Sequence, residues 1–289
     1  MQDGLHNNPN RTSQQPSAMP FHLETQADLD RALQALRSQD RRLEPIFEMV
    51  LQAAGPPALR RRAPGFAGLA STICGQQLST FAAAAIWARM VEAYDELHHD
   101  HIRQARADKL RRLGLSVAKI KTLKFIAGEI AAGRLDLAAL ADAPADAAHA
   151  VLTKLHGIGP WTADIYLLFC LGHGDAWPAG DLAIQEAVRI GLGLRARPTV
   201  KEMATLGEAW RPYRGAAAHL FWSYYKVVKA SGFDPMPPEK RVRPAAPATA
   251  TTKARTAAKT RKPSSAATRK PAKSATSQKP RKGAARHGR

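Results

Sequence analysis

Residues 151–188, VLTKLHGIGPWTADIYLLFCLGHGDAWPAGDLAIQEAV, decide how this chain is read. Two apolar helical patterns flank the turn His156-Gly157-Ile158-Gly159-Pro160. Gly157 and Gly159 permit backbone angles closed to other residues and let a second backbone approach closely. Pro160 suits the first turn of the next helix, because it lacks an N–H that would be unpaired there. A helix N-terminus offers free N–H groups and a partial positive charge, so this turn can hold an anion such as a phosphate. Ile158 can plug the space between the two helices. A plain helical corner closed by a glycine cap would show the same pair of glycines. Asp181 stands 22 residues beyond Gly159, after Trp177-Pro178-Ala179-Gly180, where it opens a further helix. Aspartate fills an N-cap well, and the helix dipole with the local N–H groups holds it ionised.

Working outward, the chain reads as helix after helix. Leu29, Leu33, Leu36, Leu43, Ile46, Val50 and Leu51 share one helical periodicity over residues 26–53, and Pro56 and Pro57 break it. Arg60, Arg61 and Arg62 follow in a loop. Phe66, Leu69, Ala70 and Ile73 form another helical face. Ser79 and Ser116 are placed to cap helices, and Gly114 and Gly133 to stop them. Leu182–Leu192 and Trp210–Ser231 supply the last helices. No alternating strand and no hairpin signal is present, so the fold class expected is all-α.

Composition divides the chain. Of the net +19 over 289 residues, +15 lies from Glu239 to the end, leaving only +4 for residues 1–238. The stretch 239–289 is built mainly of Ala, Thr, Ser, Pro, Lys and Arg, without one Leu, Ile, Phe, Tyr or Trp. It cannot bury enough apolar surface to offset its ordering entropy, so a disordered basic C-terminal tail is expected. Residues 1–21 have similar polar composition and are expected to be disordered too, which leaves 22–238 as the folded core. The tail predicts sequence-independent attraction to DNA, with a log–log salt slope of ~0.9 per phosphate neutralised; a dispensable solubilising extension is the bland alternative. No run of ~18 apolar residues predicts a membrane span, and no apolar stretch behind a basic start predicts a leader. Cys74 and Cys170 lie within apolar helical patterns, so buried free thiols in a reducing cytosol are expected. Two cysteines cannot build an iron–sulfur cluster that needs four. No His/Cys/Glu spacing resembles a zinc site; His98, His99 and His101 read as a polar loop.

The pattern Leu-x-Gly-Ile-Gly-Pro-Trp-Thr-Ala at residues 155–163, with Asp181 beyond it, resembles the helix-hairpin-helix of the DNA glycosylase superfamily. The segment 66–89, FAGLASTICGQQLSTFAAAAIWAR, is similar to the 3-methyladenine (alkylation-repair) branch, with its I-x-x-Q-Q-x-S pattern. LGLSVAKIKTL at 113–123 resembles a further segment, whose Lys119 and Lys121 would touch phosphate or simply form a solvated face. The resemblance runs from about Phe66 to Trp222. It implies two helical subdomains, about 22–62 with 185–238 and about 63–184, with the active-site cleft between them.

The resemblance implies more. The hairpin, through Gly157, Ile158 and Gly159, would grip a phosphate with backbone amides. The carbonyls of Thr153, Leu155 and Ile158 would hold a monovalent cation, Na or K; no other cofactor is implied. Asp181 would be the catalytic carboxylate. An ionised group beside a deoxyribose C1′ stabilises the positive charge that develops as the base leaves, and it can orient or deprotonate water. Trp161 and Trp222 would form the base pocket, where an indole face attracts a cationic ring by ~0.5–2 kcal/mol; Tyr166 is assigned to its lining, with Tyr224 and Phe169 as alternatives, and for Trp87 and Trp210 ordinary core packing is expected. Trp161 also stands where lyase relatives carry a nucleophilic lysine, which predicts a monofunctional enzyme using water. Gln77, or else Leu78, would fill the gap left by the flipped nucleotide; alternatively Gln76 and Gln77 only satisfy turn backbone groups. Many glycosidases need a second carboxylate. Asp164 reads as a solvated or capping group, and one acid suffices if the leaving base is already cationic. The function expected is excision of alkylated purines from double-stranded DNA by a monomer. The alternatives are a glycosylase for uracil or a mismatched base, and a non-catalytic helix-hairpin-helix DNA-binding protein.

Overall fold

A computed structural model describes residues 21–232. The expectations for residues 1–20 and for the basic tail from Glu239 lie outside the described residues. Phe21, counted with the N-terminal segment on composition, belongs to the fold: its carbonyl accepts the Gly174 amide at 2.7 Å and its ring meets Tyr213 edge-on at 5.7 Å. Among the described residues the only strand-like pairing is an isolated bridge between His22 and His173, so the fold is all-α.

Thirteen α-helices make up the described part: α1 Gln26–Gln39, α2 Glu44–Ala54, α3 Gly65–Gly75, α4 Thr80–Ala93, α5 His99–Gln104, α6 Ala107–Arg112, α7 Val117–Ala131, α8 Ala139–Asp142, α9 Ala145–Thr153, α10 Pro160–Tyr166, α11 Leu182–Gly191, α12 Val200–Glu208 and α13 Arg214–Ala230. Local sequence sets most of the ends. Thr25 and Asp28 form a reciprocal capping box on α1, and Thr199 and Glu202 do the same on α12. Ser79 and Ser116 cap α4 and α7 as the sequence predicts, each accepting the amide three residues on. The periodic run 26–53 is not one helix. Asp40 breaks it, because its carboxylate takes the Arg42 amide at 3.1 Å, the Arg42 guanidinium, and the Trp210 indole N–H at 2.9 Å. Those bonds hold a 3-10 turn, Arg41–Leu43, between α1 and α2. The polar loop expected at His98, His99 and His101 is instead helical: His98 caps α5, and the other two lie within it.

Two helical subdomains result. In the first, α13 packs on α11, α2 and α1. In the second, α3 packs on α4, α7 and α10, with α5 on α7 and α9 on α10. Leu29, Leu36, Ile46, Leu69, Ile73, Leu123 and Ile126 are fully or almost fully buried, each worth roughly 1.5–3 kcal/mol relative to exposure. After α10 the helix widens into a π turn, Leu167–Leu171, and Gly172 ends it in the left-handed region. The chain then crosses back to the first subdomain through 173–181.

The join between α3 and this π turn leaves no slack. A Cβ on Gly68 would lie 1.9 Å from the Ala63 carbonyl oxygen and 2.9 Å from Cys170 Sγ. Gly68→Ala therefore overpacks backbone against backbone, and a thermal melt should show a loss of about 1–3 kcal/mol. An unchanged melting temperature would show that the α3 contact is looser than described.

Candidate active site

Asp181 is the N-cap of α11. Its Oδ1 accepts the Ala183 and Ile184 amides at 3.0 and 3.1 Å and the Trp222 Nε1–H at 3.2 Å. Its Oδ2 accepts the Trp161 Nε1–H at 3.0 Å. Every one of these contacts is an N–H donor, and the donors come from α10, α11 and α13. The sequence reading of Asp181 as a cap thus holds together with its place between two tryptophans. The carboxylate lines a groove of about 600 Å³ that also takes in Gln77, Leu78, Gly157, Gly159 and Trp161.

The hairpin turn between α9 and α10 also lines the groove. Gly157 has φ +80°, and a Cβ there would lie 1.9 Å from Thr122 Oγ1, so no side chain fits. Its carbonyl accepts from the Gln76 side-chain amide at 3.1 Å, and the same nitrogen donates to Thr162 Oγ1 at 2.9 Å. Gln76 thereby stitches the turn after α3 to the hairpin. Gln77 is different: it is exposed, lines the groove and adopts φ +55°, a left-handed conformation unfavourable for a residue with a Cβ. The two glutamines divide the alternatives between them, Gln76 satisfying backbone and Gln77 left at the groove. One hairpin expectation needs correction. The Ile158 amide donates to the Leu155 carbonyl at 3.1 Å, because the turn tightens on itself, while its side chain is buried, as expected of a plug between the two helices. The amides of Gly157 and Gly159 donate to no acceptor among the described residues.

The aromatic wall also departs from the sequence reading. Trp161 is half-buried and lines the groove, whereas Trp222 is 9% exposed and does not. The Arg60 guanidinium lies over the Trp222 ring, 4.3 Å from its centroid, and 4.9 Å from that of Phe169. It covers the indole surface that the sequence reading gives to the base. Tyr166 is a second correction. It is fully buried, and burial pushes its phenol up. Five residues past Trp161, it is turned roughly 140° around the helix from the groove. Trp210 is core, as expected, and the Lys119 ammonium caps α3 through the Cys74 carbonyl at 2.8 Å rather than facing solvent. Asp164 is neither solvated nor a cap. It is buried 3.5 Å from His149 Nε2, burial holds its carboxyl well above the usual range, and it lines a separate cavity behind the Trp177–Gly180 loop.

Arg60 is the residue that sequence reasoning missed; a run of three arginines in a loop carries no signal of which one turns inward. Its position is fixed by α13. The Arg60 amide donates to His219 Nε2 at 3.4 Å, while His219 Nδ1 pairs with the Gly215 carbonyl at 2.8 Å. This pairing needs a neutral imidazole with its proton on Nδ1, and burial indeed pushes the His219 pKa down to about 4. Behind the site, Arg214 at the start of α13 binds Asp175 through two nitrogens, at 2.7 and 3.0 Å, and Asp146 of α9 at 3.0 Å. Arg211 reaches the same two carboxylates. The hairpin, the loop leading to Asp181 and the helix carrying Trp222 are thus fastened to one another. Among the described residues the one group of three or more potential metal-ligating side chains within 4.8 Å of one another is His98, His99 and Asp100, and it does not line the groove. No described helix is long and apolar enough to cross a membrane.

Comparison with known proteins places this geometry. Residues 70–212 match the family described as HhH-GPD superfamily base excision DNA repair protein. The DNA-3-methyladenine glycosylase 1 of Schizosaccharomyces pombe is 30% identical over 164 residues, which cover 55% of this chain and 72% of that protein. A probable bifunctional transcriptional activator/DNA repair enzyme of Mycobacterium tuberculosis is 32% identical over 164 residues, 52% of this chain but only 32% of that protein. The chain therefore spans about a third of the mycobacterial relative's length. The solved structure of a 3-methyladenine DNA glycosylase of Schizosaccharomyces pombe in complex with abasic DNA superposes with a TM-score of 0.59 at 27% identity, covering 69% of this chain and 97% of that one.

The neutral His219 sets an acid limit on stability. Its folded-state pKa is depressed, so its contribution is complete above the unfolded value of about 6.5 and is lost as pH falls toward about 4. Over that window the loss amounts to about 3 kcal/mol, and His149 and His173, also lowered by burial, act in the same direction. Melting temperature followed from pH 7 to pH 4 (on the order of these limits) should fall, and His219→Gln should flatten the slope. An equal slope in the variant would show that His219 is not the group that titrates.

Proposed function

We propose that this chain, which belongs to the HhH-GPD superfamily of base excision DNA repair proteins, is a monofunctional DNA glycosylase. It excises alkylated purines of the 3-methyladenine type from double-stranded DNA, as a monomer in a bacterial cytosol, and leaves an abasic site. The observation that carries this reading is the Asp181 carboxylate, held by four N–H donors in a groove that the glycine hairpin also lines.

The chemistry follows from that placement. A base in a duplex stack is out of reach, so the target nucleotide must flip, at a cost of a few kcal/mol. Gln77 (or its neighbour Leu78) is positioned to fill the gap, since both line the groove and are exposed. The amides of Gly157 and Gly159 grip the phosphate. As the C1′–N bond lengthens, positive charge grows on the sugar, and the fixed carboxylate beside it stabilises that charge in a site already organised to hold it. Asp181 then orients the attacking water. Trp161 offers the open aromatic face. No lysine lines the groove, which favours water over an amine nucleophile. A monovalent cation fits the hairpin: the Thr153 and Ile158 carbonyls accept no protein donor among the described residues, while Leu155 accepts the Ile158 amide with one lone pair remaining. Such an ion would brace the turn by drawing these three carbonyls together.

The test is release of free base from a methylated duplex. The wild-type protein should release methylated purines and yield no borohydride-trapped adduct. Asp181→Asn should lower single-turnover release by at least about 100-fold while affinity for an abasic duplex stays within a few-fold. A wild-type protein that binds the duplex but releases nothing would instead be a binding module.

A further inference from the structure

Beside the groove, though not in its lining, lies a second charge. The Arg60 guanidinium lies over Trp222, and Trp222 in turn donates its indole N–H to Asp181, so the cation and the carboxylate bracket one ring. Arg60 has no ion pair among the described residues, and its guanidinium donates no hydrogen bond to any of them. Its neighbours Arg61 and Arg62 are exposed, while Arg60 is largely withdrawn from solvent, and burial pulls its pKa down. The backbone is pinned on both sides, by His219 at Arg60 and by the Phe169 carbonyl, which accepts the Arg62 amide at 2.8 Å. A half-buried, anchored cation whose planar donors meet no acceptor among the described residues is a recognition element awaiting one.

We propose that Arg60 is the specificity-determining cation of this site, stabilising departing purines that carry no charge of their own, such as hypoxanthine, and weighing against those that are already cationic. This rests on the glycosylase reading of the same groove. For a purinium lesion, the C1′–N9 bond breaks with its electron pair neutralising the base, water adds to C1′, and water's proton is released. No help is needed at the base. For an uncharged purine the same electron pair leaves the base as an anion, water adds to C1′ and gives up one proton, and the base takes up one from solvent. Asp181 serves the sugar in both cases and offers nothing to the anion. Arg60 supplies the missing donor, since a guanidinium can meet the ring nitrogens and carbonyl oxygen of hypoxanthine in plane or stack on its face. A neutral ring is drawn to the cation, whereas a purinium is repelled by it.

The measurement is the ratio of two single-turnover excision rates, hypoxanthine against 7-methylguanine, on otherwise identical duplexes. Because both rates come from one preparation, the fraction of folded protein cancels. Arg60→Met, which keeps a long apolar stem, should lower the ratio by about tenfold or more, within the range of a single charge-assisted contact. Arg60→Lys should keep the ratio within a few-fold of wild type. If Arg60→Met does not fold, Arg60→Gln replaces it with the same expectation. A fall in both rates together would make Arg60 a backbone grip, and a rise in both would make it a plug; either overturns the proposal, as does an unchanged ratio or a wild type that excises 7-methylguanine and no hypoxanthine. A wild type that releases neither base removes the glycosylase reading itself.

Discussion

Four N–H groups converge on the Asp181 carboxylate, and the rest of the site depends on that convergence. Two come from the first turn of α11, which Asp181 caps, and would exist in any helix so capped. The other two are indole donors from α10 and α13, on different subdomains. They can meet only if the hairpin and the last long helix hold a fixed relation. The Arg214 and Arg211 network with Asp146 and Asp175 supplies that relation. Ion pairs of this kind add little stability when exposed. Arg214 is buried, however, and a buried charge left without its partner is costly, so the network discourages any shear between hairpin and α13.

Donors alone around a carboxylate keep it aimed, which is what a cationic sugar transition state needs. Preorganisation is the useful part: no solvent has to turn when charge appears at C1′. The groove is built equally for access. Gly157 admits no side chain, Gln76 locks the turn after α3 to the hairpin, and Gln77 stands at the rim in a left-handed conformation. Strain of this kind persists only where the surroundings over-determine it.

Much of this was legible in the sequence, for local reasons. Helix ends were set by Ser79, Ser116 and Asp181, whose side chains reach amides two or three residues away. The hairpin and its carboxylate were visible because glycine and capping aspartate act through their own backbone. What failed were two long-range contacts, at Asp40 and Arg60, and two local readings, at Tyr166 and Ile158. Asp40 divides one periodic run into two helices because Trp210, 170 residues away, donates to it. Tyr166 was placed in the base pocket, but its helical phase turns it into the core. The Ile158 amide was expected to face phosphate and is used within the turn. Arg60 was hidden among three arginines, since only the folded position of His219 and Trp222 singles it out. Charge patterns identify exposed faces well and inward-turned exceptions poorly.

The most direct measurement is a crystal structure of this chain on a duplex containing a pyrrolidine abasic mimic, whose ring nitrogen is cationic where a sugar would carry developing charge. The account predicts that nitrogen within hydrogen-bond distance of the Asp181 carboxylate, with the adjacent phosphate on the Gly157 and Gly159 amides. A mimic bound outside the groove, or seated in it with its nitrogen turned away from Asp181, would contradict it.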